Sequence, residues 1–521
     1  MAESLKSSAE IELQDQSSEA LPLCEGAPTH PAPKSKSSSS SEKLAYRVEI
    51  DGLRCFAVVP VCLYHYGGVL GGGFAGVDVF FVISGYLITS IVVNELCAGK
   101  PVLREFWERR VRRLFPAILF MLSSLFLYGW FHLATSVYSA LVTESIFALL
   151  ASSNVFYFVE TRDLGGYAAA GPEHYPLLHF WSLAVEEQFY LALPVALAAI
   201  WRLEDGARRW RWTLASLGGA LAASFVASLL VSQSFGPFAF YLLPTRAWEL
   251  LVGSLVGLGT SERGLRAMRR GTERVTGLTM AAGPLTTLLT RLALELAAWL
   301  GMASLILVYV LFTHEMEYHW PYYYALAPVI GTALVLIGTL PRRKKNGEKI
   351  MTTVAKFLSF KPFIYVGKMS YSLYLWHWPI WCFLRHNVGS DGLACFLIAA
   401  ALSAFSTECV EQPFRSKKVL GRKMLWIIAG LGWMALLVSP ATWIPLPTPS
   451  LPPSPTLPLS LSLSLLRSLI DQIWISSHFW RADIQPHRTH LGLGRVVRHH
   501  LCERRRRPVG SQWNRAHGIL H

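Results

Sequence analysis

The chain has 521 residues, of which 52% are hydrophobic and only 16% are charged, with a mean hydropathy of +0.36. Soluble domains usually carry about 25% charged residues, so this composition excludes an ordinary soluble fold and indicates a membrane protein. The formal net charge of +14 would suggest a nucleic-acid partner in a soluble protein, but here the Lys and Arg residues fall in short loops between apolar runs, as membrane topology requires. The expected partner is therefore the lipid bilayer and not nucleic acid.

The N-terminal segment, residues 1–43, is rich in Ser and other polar residues. It lacks the apolar stretch of a secretory signal peptide, and it has too little apolar surface to form a core. We expect this segment to be a disordered, cytoplasmic N-terminus.

Twelve apolar runs follow, and each is long enough, at about 17–25 residues, to form a transmembrane helix. They fall at about 55–71, 74–96, 114–134, 137–158, 178–201, 213–232, 237–259, 292–313, 324–340, 363–386, 392–411 and 424–444. The last run predicts an additional C-terminal transmembrane helix over 421–444.

The basic loops decide the topology, because cytoplasmic loops of membrane proteins carry an excess of Lys and Arg. If all twelve runs crossed the membrane, the basic loops 97–113 and 202–212 would lie on opposite sides. The run 137–158 removes this contradiction if it is interfacial or re-entrant, and its Ser, Thr, Glu and Asn residues make it the least lipid-like of the twelve. The predicted fold class is all-α: a polytopic membrane helical bundle of about 11 transmembrane helices, with all basic loops and the N-terminus in the cytoplasm.

The C-terminal tail, residues 445–521, differs in kind from the bundle. It begins with a Pro/Leu/Ser-rich stretch and ends in a basic, His-rich one, and neither has amphipathic periodicity. We expect this tail to be disordered, and we attribute its neighbouring His499, His500 and Cys502 to that composition. The eight cysteines of the chain form no CxxC pair and no metal-ligand spacing, so no metal site is predicted.

Arg54 and His65 stand out in the first apolar run. They are eleven residues apart, which places them about 16 Å apart along a helix, with His65 near or beyond the bilayer midplane. An ionisable side chain at that depth is energetically expensive, which favours a functional role. The alternative is a neutral histidine that packs against a neighbouring helix, and the pair alone leaves both interpretations open.

Seven segments occur in an order that resembles a known family. They are Arg47-Val-Glu-Ile-Asp-Gly-Leu-Arg54, Tyr64-His65, the stretch from Gly76 to Thr89 with Ser84-Gly85-Tyr86, Phe106-Trp-Glu-Arg-Arg-Val-Arg-Arg113, His179-Phe-Trp-Ser-Leu-Ala-Val-Glu-Glu-Gln-Phe-Tyr190, Pro244-Thr-Arg-Ala-Trp-Glu-Leu250, and Ser370-Tyr-Ser-Leu-Tyr-Leu-Trp-His-Trp-Pro379. Together they resemble acyltransferase family 3, the integral-membrane O-acyltransferases best known for O-acetylating bacterial surface polysaccharides. The resemblance covers residues 44–420, which we take as the membrane acyltransferase domain.

The resemblance implies transfer of an acyl group, usually acetyl, from acyl-CoA to a hydroxyl of a carbohydrate or other acceptor. It assigns the family's Arg-to-His spacing to Arg54 and His65, its Arg-x-x-Arg motif to Arg110 and Arg113, and its Ser-Gly-Tyr motif to Ser84, Gly85 and Tyr86. Many members of the family continue into a soluble hydrolase-like domain, and this chain carries its Pro-rich and basic tail at that position instead.

The chemistry of acyl transfer agrees with these assignments. A hydroxyl is a poor nucleophile, so a base that titrates near neutral pH is useful, and His65 fits that role. Guanidinium groups bind phosphates in a bidentate manner, so Arg110 and Arg113, in the predicted cytoplasmic loop, would hold the charged end of acyl-CoA. Without the resemblance, enforcing topology would be the simpler role for that basic loop.

The adjacent carboxylates Glu186 and Glu187 lie inside a predicted span. Adjacent residues face different sides of a helix, so one of them would face the bundle core and the other a polar cavity. We expect one to orient a catalytic proton or to bind the acceptor, and pairing with Arg246 is the alternative. Asp78, Glu249 and His377 are also embedded, and for them pairing within the bundle is the favoured role.

The candidate residues are thus His65, Glu186 and Glu187 for catalysis, and Arg54, Arg110, Arg113, Ser84 and Tyr86 for binding the acyl-CoA donor. Two other activities stay open from the sequence. Embedded His, Asp and Glu residues also occur in proton-coupled transporters, although no internal repeat of the transporter kind is visible. The acceptor could also be a lipid or another molecule that is not a sugar.

Overall fold

A computed structural model describes residues 46–162, 175–261, 284–317, 320–343, 349–388 and 392–415. The predictions for residues 1–43, for the helix 421–444 and for the tail 445–521 lie outside these residues. The described part is helical apart from one short antiparallel pair of strands, β1 (Arg342–Arg343) and β2 (Lys349–Ile350).

The helices follow the predicted apolar runs closely. In chain order they are α1 (Val48–Gly67), α2 (Gly76–Cys97), α3 (Val102–His132), α4 (Thr135–Leu149), α5 (Ser153–Thr161), α6 (Phe180–Leu203), α7 (Gly206–Ser232), α8 (Gly236–Tyr241), α9 (Leu243–Thr260), α10 (Pro284–Leu311), α11 (His314–Glu317), α12 (Leu326–Gly338), α13 (Thr353–Leu358), α14 (Lys361–Val388), α15 (Gly392–Phe405) and α16 (Gln412–Arg415). A 3₁₀ turn, Gly73–Ala75, precedes α2, and a π-helical turn, Ser406–Glu411, follows α15.

Six of these helical segments are long and apolar enough to cross a membrane. They are Gly73–Cys97, Val102–His132, Phe180–Leu203, Gly206–Ser232, Leu288–Leu311 and Gly392–Arg415. The prediction of an all-helical, multi-pass membrane bundle is therefore confirmed, and the count of about 11 spans stays a prediction.

The run 137–158 is not one helix in the structure. It is divided into α4 and α5 at Leu150–Ser152, where Ala151 has a positive φ of 52°. The 15 residues of α4 extend about 22 Å, which is less than the roughly 30 Å of a bilayer core. The amide of Gln188 on α6 donates to the carbonyl of Ala151 at 2.9 Å and to Asn154 at 2.8 Å, so the bundle itself stabilises the break.

Close helix packing positions the Ser84-Gly85-Tyr86 motif. Where α2 crosses α9, a Cβ atom at Gly85 would lie 1.8 Å from the carbonyl oxygen of Leu250, and one at Gly253 would lie 1.9 Å from that of Val82. No larger residue fits at either position without moving the backbone, which is the small-residue packing typical of membrane helices. Gly85 therefore serves the helix crossing, and the residues on either side of it point away from that contact.

The helix polarity gives the bundle two distinguishable ends. The helices α1 and α2 form an antiparallel hairpin, because Gly76 at the start of α2 lies against the carbonyl of Ala57 in α1 and the connection between them is short. We call the end where α1 begins and α2 ends the Arg54 end, and the opposite end the His65 end. His65 lies in the last turn of α1, so it is nearer to the far end of the helix than to its middle.

Candidate active site

A cavity of about 770 Å³, counting the space at its mouth, lies among α1, α2, α3, α6 and α14, and we call it the Arg54 cavity. Its polar lining residues are Arg54, Ser84, Arg110, Arg113, Ser182, Glu186, Glu187, Tyr190, Ser370, Tyr371 and Tyr374. The structure thus brings together six of the eight predicted site residues, three arginines and two glutamates among them. Their charges partly balance, with one formal positive charge in excess.

The arginines of the Phe106–Arg113 motif divide between two faces of one helix. The motif was predicted to lie in a loop, and that is wrong: it belongs to α3, which begins at Val102. Arg109 pairs with Glu95 at 2.5 Å and Arg112 pairs with Glu108 at 3.2 Å, whereas Arg110 and Arg113 line the Arg54 cavity. Residues three apart share a helix face, so the Arg-x-x-Arg spacing directs two guanidinium groups into one space.

The two cavity-lining arginines of α3 are placed differently from their paired neighbours. The guanidinium of Arg110 lies 4.5 Å from the ring centroid of Tyr190, within cation–π distance. The Nε of Arg113 has no hydrogen-bond partner among the described residues, although it is buried. A buried donor without a partner is energetically costly, so this N–H is available to an acceptor atom of a ligand in the cavity.

Glu186 lies at the centre of the polar network in this cavity. The Ser84 hydroxyl donates to its Oε1 at 2.8 Å, and the Tyr190 hydroxyl donates to its Oε2 at 2.6 Å. The predicted alternative, pairing of Glu186 or Glu187 with Arg246, is wrong, because Arg246 pairs elsewhere. Glu187 lines the same cavity, so both carboxylates face it and the expectation that they would divide between core and cavity is also wrong.

Tyr86 does not join the other predicted donor-binding residues. It follows Ser84 by two positions, which rotates it about 200° around the helix axis, away from the Arg54 cavity. Its hydroxyl accepts a hydrogen bond from Arg47 at 2.8 Å, and Arg47 also donates to Thr339 at 2.8 Å. The structure therefore corrects the grouping of Tyr86 with Ser84: the Tyr86 hydroxyl contacts Arg47 at the start of α1.

A second cavity of about 400 Å³, counting its mouth, lies toward the His65 end, and we call it the His65 cavity. The residues around it are Val61, His65, Phe74, Val77, Asp78, His179, Trp181, Phe240, Arg246, Glu317, Trp320 and Tyr374. His65 thus lies in a different cavity from Glu186 and Glu187, the other predicted catalytic residues.

Three imidazole rings are close together at this end of the bundle. The ring of His377 stacks on that of His65 with centroids 5.3 Å apart and lies 5.5 Å from that of His179. The Nδ1 of His377 donates to the Tyr374 carbonyl at 2.6 Å, which leaves Nε2 without a proton in the neutral ring. The orientation of the His377 ring is thus fixed by its own helix, and the ring packs against one face of the His65 ring.

A buried ionic cluster borders the His65 cavity. Arg246 on α9 lies 2.8 Å from Asp78 on α2 and 2.7 Å from Glu249, and all three side chains are almost fully buried. The indole nitrogen of Trp320 donates to Asp78 at 3.2 Å. The prediction that Asp78 and Glu249 pair within the bundle is confirmed. Removing one partner of such a buried pair leaves an uncompensated charge, so the cluster fixes this wall of the cavity.

Glu317 brings a carboxylate into the His65 cavity from the connection between α10 and α12. Only 7% of the residue is exposed, and its Oε2 accepts a hydrogen bond from the Tyr64 hydroxyl at 2.6 Å. Burial raises the pKa of Glu317 to about 7, and the hydrogen bond from Tyr64 acts in the opposite direction. Its other oxygen, Oε1, has no hydrogen-bond partner among the residues that the structure describes.

Two residues, Val77 and Tyr374, line both cavities and form the wall between them. The hydroxyls of Tyr374 and Ser182 are 2.6 Å apart, and each lies 3.2 Å from the carbonyl oxygen of His179. Val77 and Tyr374 therefore border both the arginine-lined space and the histidine-lined one.

Several of the lining residues have no role that the sequence predicted. Tyr190 and Tyr374 lie within two of the seven motif segments, and this position was the sequence feature that could have identified them. Glu317 is not among the residues that the sequence singled out, and its contact with Tyr64 spans 253 positions. No local pattern predicts a contact of that range.

Comparison with known proteins identifies the family of this chain. The acyltransferase domain of acyltransferase family 3 matches residues 47–409. The chain is 28% identical over 384 residues to the O-acetyltransferase OatA of Staphylococcus aureus (strain NCTC 8325 / PS 47), covering 71% of this chain and 58% of the relative. It is 31% identical over 343 residues to the peptidoglycan O-acetyltransferase OatA of Listeria monocytogenes, covering 64% of this chain and 49% of the relative.

The chain spans only about half of the length of these relatives, 58% and 49% respectively. No solved structure matches it. The family match nevertheless covers most of the described bundle and contains every residue of the two cavities. The chain is a multi-pass membrane protein, and it belongs to acyltransferase family 3.

Proposed function

We propose that the protein is an integral-membrane O-acyltransferase that moves an acyl group, most simply acetyl, from a donor in the Arg54 cavity to a hydroxyl of a glycan in the His65 cavity. The observation that carries this proposal is the shared wall: Val77 and Tyr374 line an arginine-rich cavity on one side and a histidine-containing cavity on the other. The named activity of the two relatives, O-acetylation, supports the reaction class, and the name of the Listeria protein supports a glycan acceptor.

The proposed donor is acyl-CoA. Its phosphates require cationic, hydrogen-bonding groups, and Arg54, Arg110 and Arg113 line a cavity that holds one carboxylate fewer than it holds arginines. The buried Nε of Arg113 without a partner fits such an anion. Glu186, held by Ser84 and Tyr190, lines the same space and would orient the acyl-bearing end of the donor.

The proposed reaction assigns the proton to His65. The acceptor oxygen forms a new C–O bond to the acyl carbon while the C–S bond of the thioester breaks, and the sulfur leaves as the thiolate of coenzyme A. The acceptor's hydroxyl proton passes to the imidazole of His65, because a ring nitrogen of a neutral imidazole can accept a proton as a general base. The stack of His377 on His65 at 5.3 Å would hold that ring in place during the transfer.

The proposed orientation has the Arg54 end at the cytoplasmic side. Among the described residues, the basic segments at the start of α3 and between α6 and α7 both belong to that end. Because positive loops stay in the cytoplasm, the donor would enter from the cytoplasm and the acceptor from the opposite side.

A proton-coupled transporter is the second candidate, since embedded His and carboxylate residues also serve proton relays. Membership of an acyltransferase family favours the enzyme. Acylation of a lipid is the third candidate, and it differs from the first only in the acceptor.

One experiment separates these candidates. Purified protein in detergent would be incubated with acetyl-CoA carrying a labelled acetyl group, together with chitotetraose or with phospholipid micelles, and label would be followed into each acceptor. We expect ester formation on chitotetraose with release of free thiol. Label in phospholipid alone would overturn the glycan acceptor. Proteoliposomes that move protons and transfer no label in either case would overturn the enzyme.

A further inference from the structure

We propose that Glu317 binds a second hydroxyl of the acceptor in the His65 cavity, so that the site takes a polyhydroxylated acceptor, a sugar, rather than a simple alcohol. This inference rests on the proposed function and deepens it, because it assigns a residue that selects the acceptor.

The geometry of Glu317 points to a ligand. It is 93% buried and lines the cavity that contains His65. One carboxylate oxygen is held by the Tyr64 hydroxyl at 2.6 Å, and Tyr64 precedes His65 in α1. The other oxygen has no partner among the described residues, and a buried acceptor left in that state costs free energy unless a ligand satisfies it.

The charges around the cavity limit what that ligand is. Arg246 is already occupied by Asp78 and Glu249, which together outnumber it in charge. The carboxylates of this cavity would therefore repel an anionic ligand. A neutral hydroxyl would instead donate a hydrogen bond to Glu317 without adding charge. Because His65 takes the proton of the reacting hydroxyl, Glu317 is free to bind a neighbouring one.

The wall next to Glu317 is rigid enough to make this contact selective. Trp320 is 2% exposed, with its indole nitrogen on Asp78, and its ring packs edge-on against Phe74 at 4.8 Å. An analogue that lacks the second hydroxyl would leave the buried carboxylate of Glu317 unpaired. A site of this kind discriminates strongly against such an analogue.

The test measures acceptor selectivity in Glu317→Gln and Glu317→Asp. Purified proteins would be assayed with acetyl-CoA as donor and with chitotetraose or 1-propanol as acceptor. We expect Glu317→Gln to raise the KM for chitotetraose about 10- to 100-fold, the change expected when a hydrogen bond to a charged group is lost. The KM for acetyl-CoA should stay within about twofold, and Glu317→Asp should recover part of the loss.

Glu315→Gln is the matched control, because Glu315 lies on the same short helix with an exposed side chain. It should leave both KM values unchanged. An unchanged chitotetraose KM in Glu317→Gln, or an equal rise for 1-propanol, overturns the role of Glu317. A Glu317→Gln protein that loses acetyl-CoA binding as well, with no recovery in Glu317→Asp, assigns Glu317 to folding instead. Absence of transfer by the unaltered protein overturns the proposed function itself.

Discussion

The two cavities differ in the chemistry of their walls although they share two lining residues, Val77 and Tyr374. The Arg54 cavity carries three arginines and two glutamates from α1, α3 and α6. The His65 cavity carries two histidines, a glutamate and an arginine already paired with two carboxylates. The first has positive charge to offer to a ligand, and the second has an imidazole base and a carboxylate acceptor. This difference supports the proposal that the bundle binds a charged donor at one end and a neutral acceptor at the other.

The largest expected effect comes from removing the base of the His65 cavity. His65→Ala should lower kcat by about 10²- to 10⁴-fold, the usual contribution of general acid–base catalysis. The KM for acetyl-CoA should change little, because the proposed donor site is the Arg54 cavity. Steady-state kinetics with both substrates varied would measure the two effects separately.

His132→Ala is the control, because His132 is exposed at the end of α3 and lines neither cavity. It should behave as the unaltered protein. A folded His65→Ala protein that keeps more than half of its turnover would show that the reaction does not use the His65 cavity as proposed.

The Arg54 cavity should respond in the opposite way. Arg110→Ala and Arg113→Ala should each raise the KM for acetyl-CoA by about 10- to 100-fold with a smaller change in kcat, the pattern of lost uniform binding. Replacement by Lys should restore only part of the affinity, because an ammonium group lacks the planar fork of guanidinium.

Arg109→Ala provides the comparison within the same turn of α3. Arg109 is 46% exposed and pairs with Glu95 outside the cavity, so its loss should leave the donor KM within about twofold. If Arg109→Ala raises the donor KM as much as Arg113→Ala does, the basic run acts through its overall charge. The division of its arginines between two helix faces would then have no effect on donor binding.

These arginines also show what the sequence could predict. The Arg-x-x-Arg spacing matched a family motif, and helical periodicity alone directs Arg110 and Arg113 to one face. The sequence did not predict that this run is helical, because its dense positive charge is typical of a loop. The carboxylates that accept Arg109 and Arg112 convert that charged run into a stable helix end.

Other features could not be predicted because they depend on contacts far apart in the chain. The residues of Ser84-Gly85-Tyr86 are adjacent in sequence, yet Ser84 faces Glu186, Gly85 packs on α9 and Tyr86 meets Arg47. Only the crossing of α2 and α9 decides which side of the motif faces the cavity. The apolar runs, by contrast, predicted nearly every long helix, since the bilayer imposes their length and composition locally.

A moderate effect should distinguish the two adjacent glutamates. Glu186→Gln should lower kcat about tenfold, because the carboxylate accepts hydrogen bonds from both Ser84 and Tyr190 and each charged bond contributes roughly 1.5–3 kcal/mol. Glu187→Gln should have a smaller effect, since no hydrogen bond from another described residue fixes its carboxylate in the cavity. Equal losses in the two variants, measured as kcat at saturating donor, would mean that their charge matters and the hydrogen bonds to Glu186 do not.

The smallest expected effect on activity, and the one that decides the direction of transfer, comes from labelling the two ends. Val69, which is 73% exposed, lies in the connection at the His65 end, and Asp205, with 84% of its side chain exposed, lies between α6 and α7 at the Arg54 end.

In a background without the native cysteines, Val69→Cys should react with an impermeant thiol reagent in intact cells, and Asp205→Cys should react only after permeabilisation. Both variants should keep nearly full activity, because neither residue lines a cavity. This result follows if the Arg54 end, with its basic segments, faces the cytoplasm, where acyl-CoA is made. The reverse labelling would put the arginines outside and the histidines toward the cytoplasm, and an acyl-CoA donor in the Arg54 cavity would then be excluded.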